Sequence, residues 1–215
     1  MPTKLETVPL FSALPQSELD ALAARGVRSF PKNTIVVNEG DETDSLYVIL
    51  SGTVKFFVSE DGGRDFVLGT AGPGEYFGEI ALAGGPRSAS VMTLEPCRFV
   101  IIPKSEMKSF LAQYPDVALH LIGNLSQRVR TLTDNAKSLA LLDVYGRVTK
   151  ALLDLAVPQD GKLVIPGKLT QQEIADRVGA SREMISRILK DLTLGGYIEQ
   201  SGKSIIVHRT PPSHW

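Results

Sequence analysis

Cysteine is nearly absent: Cys97 stands alone among 215 residues. One cysteine cannot close an internal disulfide, complete a Cys₄ zinc site or hold an iron–sulfur cluster. With Val91, Met92, Phe99, Val100 and Ile101 around it, Cys97 reads as a buried structural thiol. Histidine is scarce too, and His120, His208 and His214 show no metal-ligand spacing. No apolar run approaches the ~18 residues of a membrane span, and no basic-then-apolar leader opens the chain. The sequence therefore reads as soluble and cytoplasmic, without a membrane partner. It offers no nucleophile–base pair and no metal constellation, so a catalytic reading has no support and no metal or cofactor is expected. Charge of one sign is also missing: 23 basic residues face 24 acidic ones, for a net charge of −1. Nucleic-acid binders usually carry a basic excess, so the whole-chain sum argues against that class.

The sum hides an asymmetry. Residues 1–103 hold 8 basic and 13 acidic side chains, whereas 104–150 hold 7 and 4, and 167–215 hold 7 and 5. An acidic first half followed by a mildly basic remainder suggests two parts with different partners. At 43% hydrophobic and 22% charged, the composition is that of a globular chain, long enough for two small domains.

Residues 15–25 read as a short helix, with Leu19, Leu22 and Ala23 at helical spacing. From 28 to 103 the pattern becomes β-rich: Thr34–Asn38, Ser45–Leu50, Thr53–Val58, Phe66–Thr70, Ala89–Thr93 and Cys97–Ile102, separated by Gly- and Pro-containing turns. Short strands at this spacing predict a small antiparallel barrel or roll. Helix returns at Ser105–Gln113, and a long helical pattern follows from Asp116 to Leu142. In it Ile122, Leu125, Val129, Leu132, Ala136 and Leu139 alternate in steps of three and four, the a/d seam of a pair of helices. A helix packed only on its own domain would show a broader stripe, so the seam favours self-association. Packing on the chain's own core remains the alternative.

A helix at Val144–Ala156 leads to a loop containing Pro158, Gly161, Pro166 and Gly167. In the last segment Thr170 and Glu173 form a capping box for a helix to Val178, Gly179-Ala180 turns the chain, and Ser181 caps a second helix to Leu194. Tyr197–Gln200 and Ser204–Val207 flank a turn and read as a hairpin. Helix, tight turn, helix and hairpin make a winged helix-turn-helix. In its second helix Ile185, Ile188, Leu189 and Leu192 form an inner stripe, leaving Arg182, Glu183, Ser186, Arg187 and Lys190 outside. Arginine forks match guanine O6 and N7, and a carboxylate accepts from cytosine N4. Thr170, Ser181 and Lys203 suit phosphates and would set the register.

The run from Gly72 to Ala89 lies between two strands and combines a helix-starting segment with Arg87 and Ser88. Backbone N–H groups and an arginine fork suit a phosphate, and a carboxylate such as Glu79 suits sugar hydroxyls. An internal Glu79–Arg87 ion pair in a surface loop is the competing reading.

Three blocks carry a resemblance that covers the whole chain: Phe77-Gly78-Glu79-Ile80-Ala81-Leu82 through Pro86-Arg87-Ser88-Ala89; Leu142-Asp143-Val144-Tyr145-Gly146-Arg147; and Leu169–Leu192. Together they resemble the Crp/Fnr family of bacterial transcription regulators, closest to its cAMP receptor protein branch. The resemblance implies an α+β chain: a cyclic-nucleotide-binding-like antiparallel β-roll over 1–115, a dimerisation helix over 116–142 and a winged helix-turn-helix over 143–215. It implies that Gly78, Glu79 and Ile80 hold the ribose of a cyclic nucleotide such as cAMP, that Arg87 and Ser88 hold its phosphate, and that Thr133 contacts the adenine. Leu132 departs from the polar residue the family has there. Arg182, Glu183 and Arg187 would read a TGTGA-type half-site in palindromic double-stranded DNA, with Thr170, Ser181, Gly202 and Lys203 on its backbone. The implied partners are a second copy of the chain, DNA, a small nucleotide effector and RNA polymerase. The family's iron–sulfur branch does not fit a chain with one cysteine. A second reading, from a different class, is a nucleotide-sensing regulatory subunit whose winged helix docks a protein partner.

Overall fold

The β-rich stretch folds as its alternation predicts, into strands that turn one side chain in two toward a common interior. The computed structural model describes residues 5–12, 14–24, 26–42, 44–60, 65–167, 169–201 and 204–212. Two compact units divide the chain, one of Met1–Val58 with Val67–Arg130 and one of Ser59–Phe66 with Thr131–Trp215.

In the first unit, 3-10 turns at Leu5–Thr7 and Pro9–Phe11 precede helix α1 (Gln16–Ala24). Strands β1 (Arg28–Phe30), β2 (Ile35–Val37), β3 (Ser45–Ser51), β4 (Val54–Ser59), β5 (Asp65–Ala71), β6 (Tyr76–Phe77), β7 (Ser90–Thr93) and β8 (Cys97–Pro103) follow, with the one-turn helix α2 (Ile80–Ala83) between β6 and β7. They make two four-stranded sheets, ordered β1-β8-β3-β6 and β2-β7-β4-β5. β1 and the two-residue β6 escape sequence reading because neither is long enough to show a period. Between the sheets lie Val37, Ile49, Val54, Phe77, Val91, Cys97 and Phe99, so Cys97 is the buried thiol expected. A second core, on the other side of β3 and β8, joins Leu46, Val48, Val100 and Ile102 to Leu10, Phe11, Leu22, Met107 and Phe110.

Helix α3 (Lys104–Gln113) ends at Tyr114, and Pro115 starts α4 (Pro115–Leu141), where a missing N–H costs nothing. Val117 and Leu121 are buried in the first unit's core. The seam points elsewhere: Ile122 is 58% and Val129 61% exposed, and Leu125, Leu132, Ala136 and Leu139 are exposed as well. Packing on the chain's own core, the alternative for this stripe, is not what the residues do.

Two residues, Leu142 and Asp143, separate α4 from α5 (Val144–Leu155). The Asp143 carboxylate caps α5 by accepting from the Gly146 N–H at 2.7 Å. Arg147 donates from Nη1 to the Leu142 carbonyl at 3.0 Å and from Nε to the Val178 carbonyl at 2.9 Å, tying the hinge to the helix-turn-helix. Helices α6 (Gln171–Val178) and α7 (Arg182–Leu194) then pack with α5 around Tyr145, Val148, Leu152, Ile174, Ile185, Leu189 and Leu192.

One expectation fails in this unit. The stretch read as a loop holds two strands, β9 (Val157–Gln159) and β10 (Lys162–Ile165). Asp160 and Gly161 between them have φ of 49° and 75°, the pair of positive values that a two-residue hairpin turn needs. β10 pairs with β12 (Ser204–Val207), which pairs with β11 (Ile198–Ser201), so the wing belongs to a four-stranded sheet ordered β11-β12-β10-β9. Pro158 misleads the sequence reading, because a proline inside a short run argues against a strand unless the strand is an edge.

Candidate functional site

The reading element is built as its sequence spells it. Thr170 accepts from the Glu173 N–H at 3.1 Å while Glu173 Oε2 accepts from the Thr170 N–H at 2.6 Å, so the capping box is complete. Gly179 ends α6 at φ 66° and ψ 54°, in the left-handed region. That conformation is what lets two helices meet across so short a turn. Ser181 caps α7 through the Met184 N–H at 3.3 Å. Ile185, Ile188, Leu189 and Leu192 are buried, and Arg182, Glu183, Ser186, Arg187 and Lys190 are exposed together on the other face. Gly202 and Lys203, expected on the wing, lie outside the described residues.

The second site is a cradle of about 70 Å³ in the first unit, lined by Val37, Phe56, Phe77, Gly78, Glu79, Ile80, Arg87, Ser88, Ala89, Val91 and Arg128. All five residues expected there from β6 to Ser88 take part. Gly78 has φ 92°, and a Cβ on it would stand 2.6 Å from both Arg87 Nη1 and the Ser45 carbonyl oxygen. Only glycine lets β6 leave its sheet so close to the guanidinium. Arg87, 7% exposed, donates from Nη1 to the Gly78 carbonyl at 3.1 Å and from Nη2 to the Ser45 carbonyl at 2.7 Å. Its guanidinium also lies 5.8 Å from the centre of the Tyr47 ring. Burial pushes its pKa down, while Tyr47, Glu79, Asp41 and Asp44 act in the opposite direction. It remains a cation at neutral pH. Ser88 and Ile80 are exposed at the rim.

Glu79 and Arg87 do not form the ion pair weighed as the competing reading. Glu79 Oε1 accepts from Arg128 Nη1 at 2.6 Å, and Arg128 Nη2 donates to the Tyr76 carbonyl. The other carboxylate oxygen, Glu79 Oε2, is buried without a hydrogen-bond partner among the described residues. A buried anionic acceptor left this way demands a reason, since such groups are nearly always satisfied. Arg128 sits over the rings of Phe56 and Tyr76, with 5.6 and 5.8 Å to their centres. Burial and the Glu79 carboxylate raise the Tyr76 phenol to about 12, with Arg128 acting to lower it.

Sequence reasoning missed Arg128. A signal was present: Arg128 falls eleven residues after Val117 and seven after Leu121, on the helix stripe that faces the core. A cation on that stripe needs a buried anion. Thr133 and Leu132 are exposed on α4 and belong to the second unit.

Residues 27–114 match the cyclic nucleotide-binding domain, and residues 146–211 match the Crp-like helix-turn-helix domain. The chain is 37% identical over 183 residues to the CRP-like cAMP-activated global transcriptional regulator of Mycobacterium tuberculosis, covering 83% of this chain and 82% of that one. It is 32% identical to the cAMP-activated global transcriptional regulator CRP of Pasteurella multocida, covering 86% and 90%. Among solved structures, the c-di-GMP responsive global regulator CLP of Xanthomonas campestris superposes with a TM-score of 0.76 at 30% identity, over 89% of this chain and 100% of that one.

Proposed function

Since the chain belongs to the Crp/Fnr family of transcription regulators and not to an enzyme family, we propose that it is a homodimer gated by a cyclic nucleotide such as cAMP. In this reading residues 1–115 sense the effector, 116–142 pair two copies and 143–215 bind DNA. The buried Glu79 Oε2 without a partner carries the assignment of the effector. It is an acceptor in the same cradle as the Arg87 guanidinium, and a ribose hydroxyl next to a cyclic phosphate offers a donor to the one and an anion to the other. Gly78 and Ile80 shape the ribose end, Arg87 and Ser88 take the phosphate, and Thr133 completes the adenine contact. The relatives add support, being named for activation by cAMP in two cases and for a response to c-di-GMP in another.

A cradle of about 70 Å³ is smaller than the roughly 300–1,000 Å³ of ordinary ligand pockets, so a nucleotide enters by widening it. Arg128 and the seam residues Ile122, Leu125, Val129, Leu132, Ala136 and Leu139 all belong to α4, so widening at Glu79 acts on the helix that pairs the copies. The effector shifts the arrangement of the two reading heads only by what it binds more tightly in one arrangement than in the other. Paired heads then reach successive major grooves about 34 Å apart. Arg182, Glu183 and Arg187 read TGTGA-like half-sites of a palindrome, Thr170, Ser181, Gly202 and Lys203 hold its phosphates, and RNA polymerase is the further partner. No helix among the described residues is long and apolar enough to cross a membrane, which fits work in the cytoplasm.

Fluorescence anisotropy with a palindromic TGTGA probe, with and without cAMP, cGMP or c-di-GMP, tests the reading. Cyclic-nucleotide-dependent tightening is expected in the wild type and not in Arg87→Leu. An Arg87→Leu protein that still tightened on the probe would overturn the cradle. Arg182→Ala should relax discrimination at one base pair by about 1–3 kcal/mol. An equal loss on every sequence would make Arg182 a phosphate contact instead.

A further inference from the structure

The cradle's lining is of two kinds. Gly78, Glu79, Arg87, Ser88 and Arg128 offer it a carboxylate, two guanidinium groups, a hydroxyl and backbone groups, whereas Val37, Phe56, Phe77, Ile80, Ala89 and Val91 contribute carbon. A nucleotide held on the polar groups by sugar and phosphate has one part left, the base, and a base has two flat faces that gain by leaving water. Not every apolar residue can receive it. Phe77 is 2% exposed, stacked on Tyr47 at 4.8 Å with Phe99 against it edge-on at 5.6 Å. Val37 and Val91 are buried as well.

Phe56 differs from them. It is half-buried on β4, paired across the sheet with Val91, and meets Phe77 edge-on at 6.0 Å between centres. Strand alternation turns it to the interior with Val54, while the Lys55 ammonium lies over the Phe57 ring. Its ring lies 5.6 Å from the guanidinium of Arg128, which in turn is bonded to Glu79. Of the two aromatic rings that line the cradle it is thus the accessible one, joined through Arg128 to the carboxylate that takes the ribose, and a base attached to that ribose can come to lie on it.

We propose that Phe56 determines effector specificity by stacking on the nucleobase, and that it favours a purine over a pyrimidine because two fused rings cover more of it. This rests on the reading of the cradle as a cyclic-nucleotide site. It gives base recognition to an apolar ring on the β-roll, in a chain where Leu132 replaces a polar contact on the long helix.

The test is calorimetric titration of the full-length protein with cAMP and with 3′,5′-cyclic CMP, for the wild type, Phe56→Leu, Phe56→Met and Phe56→Tyr. The wild type should prefer cAMP. In Phe56→Leu and Phe56→Met the cAMP affinity should fall roughly tenfold, the scale of one base–aromatic stack, with a smaller loss for cyclic CMP, whose single ring covers less of Phe56. The preference then shrinks, and Phe56→Tyr restores it. Equal losses for both nucleotides would show that Phe56 acts only by propping Arg128, and would overturn the proposal. So would cAMP affinity left intact in both aliphatic variants. If Arg87→Leu abolishes binding while the Phe56 variants keep the wild-type preference, the cradle stands and the stacking falls. Should the wild type bind neither nucleotide, both fall.

Discussion

Gly78 and Gly85 form a matched pair for measuring what holds Arg87 in place. Their φ values are 92° and 93°, so an alanine at either is strained alike. That shared cost is about 1–2 kcal/mol. It is partly offset, by about 0.4–1 kcal/mol, because alanine also restricts the unfolded chain. Their surroundings differ. A Cβ at Gly85 has nothing within 4 Å, whereas one at Gly78 stands 2.6 Å from the Ser45 carbonyl and 2.6 Å from Arg87 Nη1. The guanidinium can swing away, but the Ser45 backbone cannot yield without parting β3 from β6. Arg87 then loses one of its bonds to the Gly78 and Ser45 carbonyls and keeps the other at a poorer angle. Hydrogen bonds to a charged group contribute about 1.5–3 kcal/mol each. With one of them lost and the other weakened, Gly78→Ala should be about 3 kcal/mol less stable than Gly85→Ala. Urea unfolding of both variants gives the difference directly, and unchanged slopes would place it in the folded state. If the displaced guanidinium also holds the phosphate, cAMP affinity falls by roughly a hundredfold in Gly78→Ala alone. Equal midpoints and equal cAMP affinities in the two variants would refute the reasoning.

If two copies pair through α4 as proposed, Val129→Glu, at a position 61% exposed, should scatter light as a monomer where the wild type scatters as a dimer, and should lose the concentration dependence of the wild type's thermal midpoint; a wild type that is itself monomeric would refute the pairing. Thr170→Ala removes one half of a complete capping box and should lower stability by about 1 kcal/mol in chemical denaturation. Tyr76 is raised from 10.0 to about 12 by burial and by Glu79. Its folded value exceeds its unfolded one, so its contribution is fully present below pH 10 and is lost as pH climbs through 12. Urea midpoints measured across that window should fall, and Tyr76→Phe should remove this part of the fall. Burial pushes the Cys97 thiol up, so a colorimetric disulfide reagent at pH 8 should label it only as fast as the protein unfolds. Rapid labelling of the folded protein would contradict its place between the sheets.

What sequence could show depended on whether a residue's partner was local. The capping box Thr170–Glu173, the Ser181 cap and the inner stripe of α7 are contained within one helix and its first turn, and all appear in place. The Gly78-to-Ser88 cassette was legible as a group, because a glycine-led turn and an arginine fork are short-range features. Its internal wiring was not. Glu79 pairs with Arg128, 49 positions away, and Arg87 with the carbonyl of Ser45, 42 positions back. No periodicity relates such residues, since strands and helices from different parts of the chain bring them together. The β9–β10 hairpin was lost for another reason: Asp160-Gly161 signals a tight turn, but Pro158 signals the end of a strand, and the two local rules conflict.

That proline has a consequence at the sheet's rim. β9 is the last strand of its sheet, and all three of its residues are exposed. A two-residue turn makes Gln159 and Lys162 the hydrogen-bonded closing pair, so the next pair, Pro158 with Leu163, turns its backbone groups outward. The outward donor of an edge strand is where a foreign strand would add itself, and here proline has deleted it. The edge cannot serve as a template at its midpoint, which closes one route by which two wing sheets could pair edge to edge. A Pro158→Val variant would restore the donor, β propensity and an apolar rim all at once.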